Sequence, residues 1–126
     1  MNKIEQLKVV EKPWGRELWF AQTSNYMGKI LEIDPGKSTS IHKHEIKEET
    51  MYVFQGRCQV LSKDDIRIYY PGSFIHIEPG DVHSMTATGD TGQRVILFEV
   101  STPFPEDSIR LEDKYSRPCV KEAQQK

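Results

Sequence analysis

The stretch GKSTSIHKHEIKEETMYVFQG, residues 36–56, decides how the rest of the chain is read. Gly36 is followed after five residues by His42, then by His44, Glu49 and Gly56. Two histidines at i and i+2 on a strand project from one face, because strand side chains alternate with a period of two. They can therefore grip one ion together. A turn over residues 45–48 then brings the chain back, so that Glu49, heading the next strand, offers a carboxylate to the same ion. Glu48 is the rival for that role; counting back from Gly56 favours Glu49 and leaves Glu48 facing solvent. Gly56 is read as closing a tight hairpin between strands at 50–55 and 57–61, where a residue with positive φ is useful.

A second segment completes the set. Gly72 is followed after five residues by Glu78, Pro79 and Gly80, and then, two residues on, by His83. His83 starts a strand after a Pro-Gly turn, so it can point back towards the same place. His42, His44, Glu49 and His83 are therefore the candidate ligands of one divalent metal ion. Imidazoles and one carboxylate suit Zn, Mn, Fe, Ni, Co or Cu, with bonds of roughly 2.0–2.2 Å. Four protein ligands on an ion that prefers six leave positions for water or substrate. The competing reading makes these ordinary surface histidines beside a solvated glutamate. Three of the chain's four histidines fall in the two segments, which weighs against it.

Working outward, the chain shows short β-branched and aromatic runs separated by Gly, Pro, Asp or Ser. Strands are expected at 17–20, 27–33, 40–44, 50–55, 57–61, 66–70, 74–77, 83–88 and 94–101. Strands this short and evenly spaced predict an all-β antiparallel sandwich or barrel. Leu31 and Ile33 alternate with Glu32 and Asp34, and Ile66, Ile68 and Tyr70 flank Arg67; each set is read as one buried face. Residues 1–126 are expected to form one domain, with its core at about 10–117, an N-terminal arm or short helix before it and a polar tail after it.

Composition narrows the function classes. The chain carries 17 basic and 19 acidic side chains, a net charge of −2, and no basic run, so neither nucleic acid nor an anionic membrane is expected as partner. Residues 1–10 lack the apolar core of a signal peptide and no window approaches membrane-spanning length, so a cytoplasmic location is expected. Cys58 and Cys119 form no Cys-x-x-Cys pair and read as free thiols.

The two segments resemble the sequence motifs of the cupin superfamily, Gly-x5-His-x-His-x4-Glu-x6-Gly and Gly-x5-Pro-x-Gly-x2-His-x3-Asn. The first matches at every named position; in the second, Glu78 stands at the proline position and Ala87 at the asparagine position. The resemblance implies a cupin double-stranded β-helix, a jelly-roll barrel. Lys12-Pro13-Trp14-Gly15, Lys29-Ile30 and the run Ile109 to Tyr115 are similar to the C-terminal cupin domain of type II mannose-6-phosphate isomerases, over about residues 10–117. Those proteins are often fused to a guanylyltransferase, an activity not expected of this chain. In them the position of His42 is typically glutamine and that of Lys47 typically arginine. The resemblance implies a metal-dependent aldose–ketose isomerase or epimerase acting on a sugar or sugar phosphate, and a homodimer. A dioxygenase using Fe(II) and a non-catalytic carbohydrate-binding module are the alternatives. Lys29 occupies a cavity-facing basic position of the family, where it would neutralise an anionic substrate or a developing enolate oxygen; the other reading is an exposed strand lysine.

Other side chains carry weaker expectations. Arg94 is read as an outward salt bridge and His76 as opposite in direction to Ile75 and Ile77. Tyr52, Phe54 and Phe98 either line a cavity floor or, by default, pack the core. Trp14 and Trp19 are expected to anchor the N-terminal arm on the barrel or on a partner subunit.

Overall fold

The computed structural model describes residues 7–63 and 65–115. It contains eleven strands and, among the described residues, no helix. In chain order these are β1 (Lys8–Lys12), β2 (Gly15–Gln22), β3 (Met27–Ile33), β4 (Ile41–Lys43), β5 (Glu49–Gln55), β6 (Cys58–Ser62), β7 (Asp65–Tyr69), β8 (Phe74–Ile77), β9 (His83–Ala87), β10 (Val95–Ser101) and β11 (Ile109–Glu112). They form a six-stranded sheet ordered β1-β2-β3-β10-β5-β8 and a five-stranded sheet ordered β11-β4-β9-β6-β7, with antiparallel pairing throughout. All nine expected strands are present to within a few residues. Two more were not anticipated: β1, in part of what was read as an arm, and β11, in the run Ile109 to Tyr115. Cys119 and the tail lie outside the described residues.

The core lies between the sheets. Leu31, Ile33, Met51, Val53, Ile75, Ile77, Val95 and Leu97 face inward from the larger sheet and Cys58, Val60, Met85 and Ala87 from the smaller. Trp14, at the β1–β2 turn, is buried among them and ties that turn to the barrel. Burying the Val, Leu, Ile and Met side chains among these contributes roughly 1.5–3 kcal/mol each. The free Cys58 thiol is pushed up to about 12 by its burial, which keeps it protonated and inert. No described helix is long and apolar enough to cross a membrane.

Three expectations are corrected here. Gly56 does not close a paired hairpin: β5 and β6 belong to different sheets, and Gly56, at φ 87°, carries the chain across the corner between them. Ile66 of β7 and Tyr70 just after it are exposed, while Tyr69 packs against the core, so the apolar alternation there marks the solvent face of an edge strand. Tyr52, Phe54 and Phe98 neither line a cavity nor pack the core. They point outward from the larger sheet, because Met51, Val53 and Leu97 occupy the inward positions.

A Cβ at position 56 would lie 2.7 Å from the carbonyl oxygen of Arg94. Gly56→Ala combines that clash with a left-handed backbone and should cost about 2 kcal/mol or more. Urea unfolding reads the change; a midpoint equal to the wild type's would contradict this account of the corner.

Candidate metal centre

His42 and His83 are directly opposite each other across the β4–β9 pair, and His44 follows two residues after His42. One ring nitrogen from each of the three lies within 4.8 Å of the others. His42 Nδ1 lies 2.8 Å from the Ser40 carbonyl and His83 Nδ1 2.8 Å from that of Asp81; His44 Nδ1 bonds the Asp107 carbonyl. Carbonyls only accept, so each Nδ1 carries the proton and donates it. Each Nε2 is therefore left with a free lone pair when the ring is neutral.

Glu49 reaches the cluster from the opposite sheet. Its Oε1 stands 3.3 Å from His44 Nε2 and 3.2 Å from His83 Nε2. Three acceptors thus face one another, and His83 Nε2 is fully buried with no hydrogen-bond donor. Leaving a buried acceptor unmatched is costly, and a cation at the shared point relieves all of them at once. Imidazoles held by a second hydrogen bond at Nδ1 are what a metal site needs. The residues present fit a divalent ion. The structure brings all four expected ligands together, and Glu48 points outward, 2.6 Å from His76, as the motif count favours.

A buried charge network surrounds the cluster. Lys47 bridges Glu49 Oε2 at 3.3 Å and Glu99 Oε2 at 3.0 Å. Burial alone would raise the Glu49 carboxyl, but the Lys47 ammonium outweighs it and holds Glu49 well below the usual range. Glu99 moves the other way, raised by burial and then by the charge of Glu49. Burial lowers His42 well below an ordinary imidazole, and the neighbouring His83 and His44 add to it. Lys29 is buried, not an exposed strand lysine; its ammonium sits 3.4 Å from Glu17 Oε1 and 4.5 Å from the centroid of the Trp19 ring. Lys8 covers that ring at 4.1 Å, so Trp19 does hold the first strand in place.

His42, His44, Glu49, Lys47, Glu99, Lys29, Glu17 and Trp19 wall a cavity of about 170 Å³, with Lys12, Glu106 and Arg110 also in its lining, while His83 is buried behind it. Arg110 of β11 is the cross-strand neighbour of His42. Sequence reasoning missed Glu17, Glu99, Asp107 and Arg110. For Glu99 a signal existed: it falls in phase with Val95 and Leu97, so a charge occupies an otherwise apolar inward face. Arg94 makes the expected outward ion pairs, with Asp34 and Glu32.

Two antiparallel sheets closed over inward histidines define a cupin, a double-stranded β-helix protein. The chain belongs to the family described as mannose-6-phosphate isomerase C-terminal, which its residues 1–113 match. It is 24% identical over 98 residues to a mannose-1-phosphate guanylyltransferase of Sinorhizobium fredii, covering 78% of this chain and 19% of that protein, and so spans about a fifth of its length. The solved structure of KdgF from Halomonas sp. is similar at a TM-score of 0.68 and 22% identity, covering 79% of this chain and 86% of that one. An RmlC-like cupin from Shewanella frigidimarina is similar at a TM-score of 0.70 and 19% identity, covering 81% and 88%. At these identities the two structures speak for the fold.

The depressed His42 and Glu49 have the same consequence for pH. Each binds protons more readily when unfolded, so stability is present above the unfolded-state value and is lost on acidification. The metal-free protein should lose stability as the pH falls below about 6.5, where unfolded imidazole protonates, and lose more below about 4.5 as carboxylates follow. Thermal melting of chelator-treated protein from pH 8 to 4 measures this; a flat profile between pH 7 and 5 would contradict it.

Proposed function

We propose that this protein is a metal-dependent isomerase or epimerase of a sugar or sugar phosphate, with one divalent ion held by His42, His44, His83 and Glu49. The observation that carries the reading is the set of three imidazoles, each tied through Nδ1 to a backbone carbonyl and converging with Glu49, with His42, His44 and Glu49 lining a cavity that further charged groups share. The mannose-6-phosphate isomerase family and the sugar-phosphate name of the matched guanylyltransferase support the substrate class. The cavity wall itself is polar and mixed in charge, with Lys12 and Arg110 beside Glu17 and Glu106.

When bound, a divalent ion would supply Lewis acidity towards a carbonyl or hydroxyl oxygen. The chain's own groups divide the remaining work. Lys29, fixed by Glu17 and Trp19, presents an ammonium to negative charge developing on a substrate oxygen. Glu99 is the candidate base for moving a proton between adjacent carbons: it lines the cavity, lies directly across from Lys29 on the next strand, and its raised carboxyl sits closer to working pH.

Metal-loaded protein offered a panel of aldoses and aldose phosphates should form the ketose or the epimer. His44→Ala should abolish turnover, and Glu99→Gln should lower it by about 10²–10⁴-fold. A loaded protein that turns over nothing in the panel, or that consumes oxygen instead, contradicts the proposal.

We further propose a homodimer formed through the outer face of the six-stranded sheet. Ile30, Phe98, Tyr52 and Phe74 form one row straight across β3, β10, β5 and β8. Phe54 stacks on Phe98 at 4.9 Å between centroids, Val100 continues the patch, and Phe20 lies over Gly28 beside it. Five aromatic side chains near half exposure present roughly 500 Å² of mainly apolar surface. With their neighbours that approaches the ~800 Å² per partner of a stable interface. A second copy supplies a matching row through two-fold symmetry. Light scattering should give twice the 14.6 kDa chain mass, and Phe98→Glu should give the monomer; a wild type that is monomeric at micromolar concentration contradicts this.

A further inference from the structure

The three imidazoles are not aimed in the same way. His42 and His83 donate to carbonyls two residues back, at Ser40 and Asp81, so their own strands set their rings. His44 depends on the carbonyl of Asp107, 63 residues away in the loop between β10 and β11. Asp107 is 2% exposed and lies outside both metal-ligand segments. Its carboxylate also accepts three backbone N–H groups: that of Glu45 at 3.2 Å on Oδ1, and those of Ile46 at 2.6 Å and Lys47 at 2.9 Å on Oδ2.

Those amides belong to the turn that connects His44 to Glu49. One remote residue therefore grips the turn with its side chain and aims the ligand at the start of that turn with its main chain. A residue that merely satisfied buried amides would have no need of the second bond. If the carboxylate lets go, the turn and the His44 ring lose their common reference together.

We infer that Asp107 is a positioning residue of the metal centre, keeping His44 and Glu49 in register for one ion. The inference rests on the metal reading above and adds a residue that touches neither ion nor substrate. A neighbouring contact between the same two segments provides a control. Thr102 Oγ1 accepts the Glu48 N–H at 3.0 Å, and that bond bears on neither His44 nor the Asp107 carboxylate.

Cobalt(II) is titrated into chelator-treated wild type, Asp107→Asn and Thr102→Val, reading affinity, the visible absorption of the bound ion and the melting temperature of each metal-free protein. Asp107→Asn should bind cobalt 10–100-fold more weakly, the usual range for losing such an outer partner, and with an altered absorption band. Thr102→Val should bind as the wild type does, whatever its melting temperature. Wild-type affinity and absorption in Asp107→Asn would overturn the role of Asp107, even in a less stable protein. A wild type that takes up no cobalt would overturn the metal reading itself, so the two failures are distinct. Nitrogen-15 shifts of the wild-type rings give a check that requires no variant to fold: His44 should be the Nδ1–H tautomer, and an Nε2–H tautomer would overturn the inference.

Discussion

Everything at this site depends on three hydrogen bonds from imidazole Nδ1–H groups to backbone carbonyls. A neutral imidazole has one proton and two nitrogens, so fixing the proton at Nδ1 fixes the lone pair at Nε2. The carbonyls of Ser40, Asp81 and Asp107 do this for His42, His83 and His44. Two sheets then place the rings on one side and Glu49 on the other. The fold is the device that makes four acceptors converge.

Acceptors that converge in a buried space are unfavourable unless a cation joins them, and buried charges are costly unless paired. The network around the cluster follows from this. Lys47 stands between Glu49 and Glu99, and Lys29 between Glu17 and the Trp19 ring. The cavity therefore holds ionised groups without isolated charges. The pairing also separates two carboxyls by role: Glu49 is held ionised by Lys47, whereas Glu99 is raised by burial beside it.

Much of this was legible in the residues themselves. The spacing of His42, His44, Glu49 and His83 located the cluster, because a period of two leaves little choice about which way a strand histidine points. The same rule contained information that went unused. Once Glu49 is placed inward, Met51 and Val53 must follow it and Tyr52 and Phe54 must face out. Aromatic character suggested the core, and phase overrules it. β7 misled for the opposite reason: its alternation is real, but the strand lies at a sheet edge and its more apolar face is the exposed one.

What could not be read locally are the partnerships across the fold. Nothing near Asp107 in sequence announces His44, and Gly56 looks the same in a hairpin as at a corner between sheets. The run from Ile109 gives no sign of which strand it joins, yet as β11 it brings Arg110 beside His42. These depend on which strands become neighbours, and a single sequence does not encode that in any short window.

The most direct test is to locate the ion. Crystals grown with zinc or manganese and measured at that metal's absorption edge should show one strong anomalous peak per chain. It should lie about 2.0–2.2 Å from the Nε2 atoms of His42, His44 and His83 and from a Glu49 oxygen. No peak at that point, or a peak held by other residues, would contradict the account.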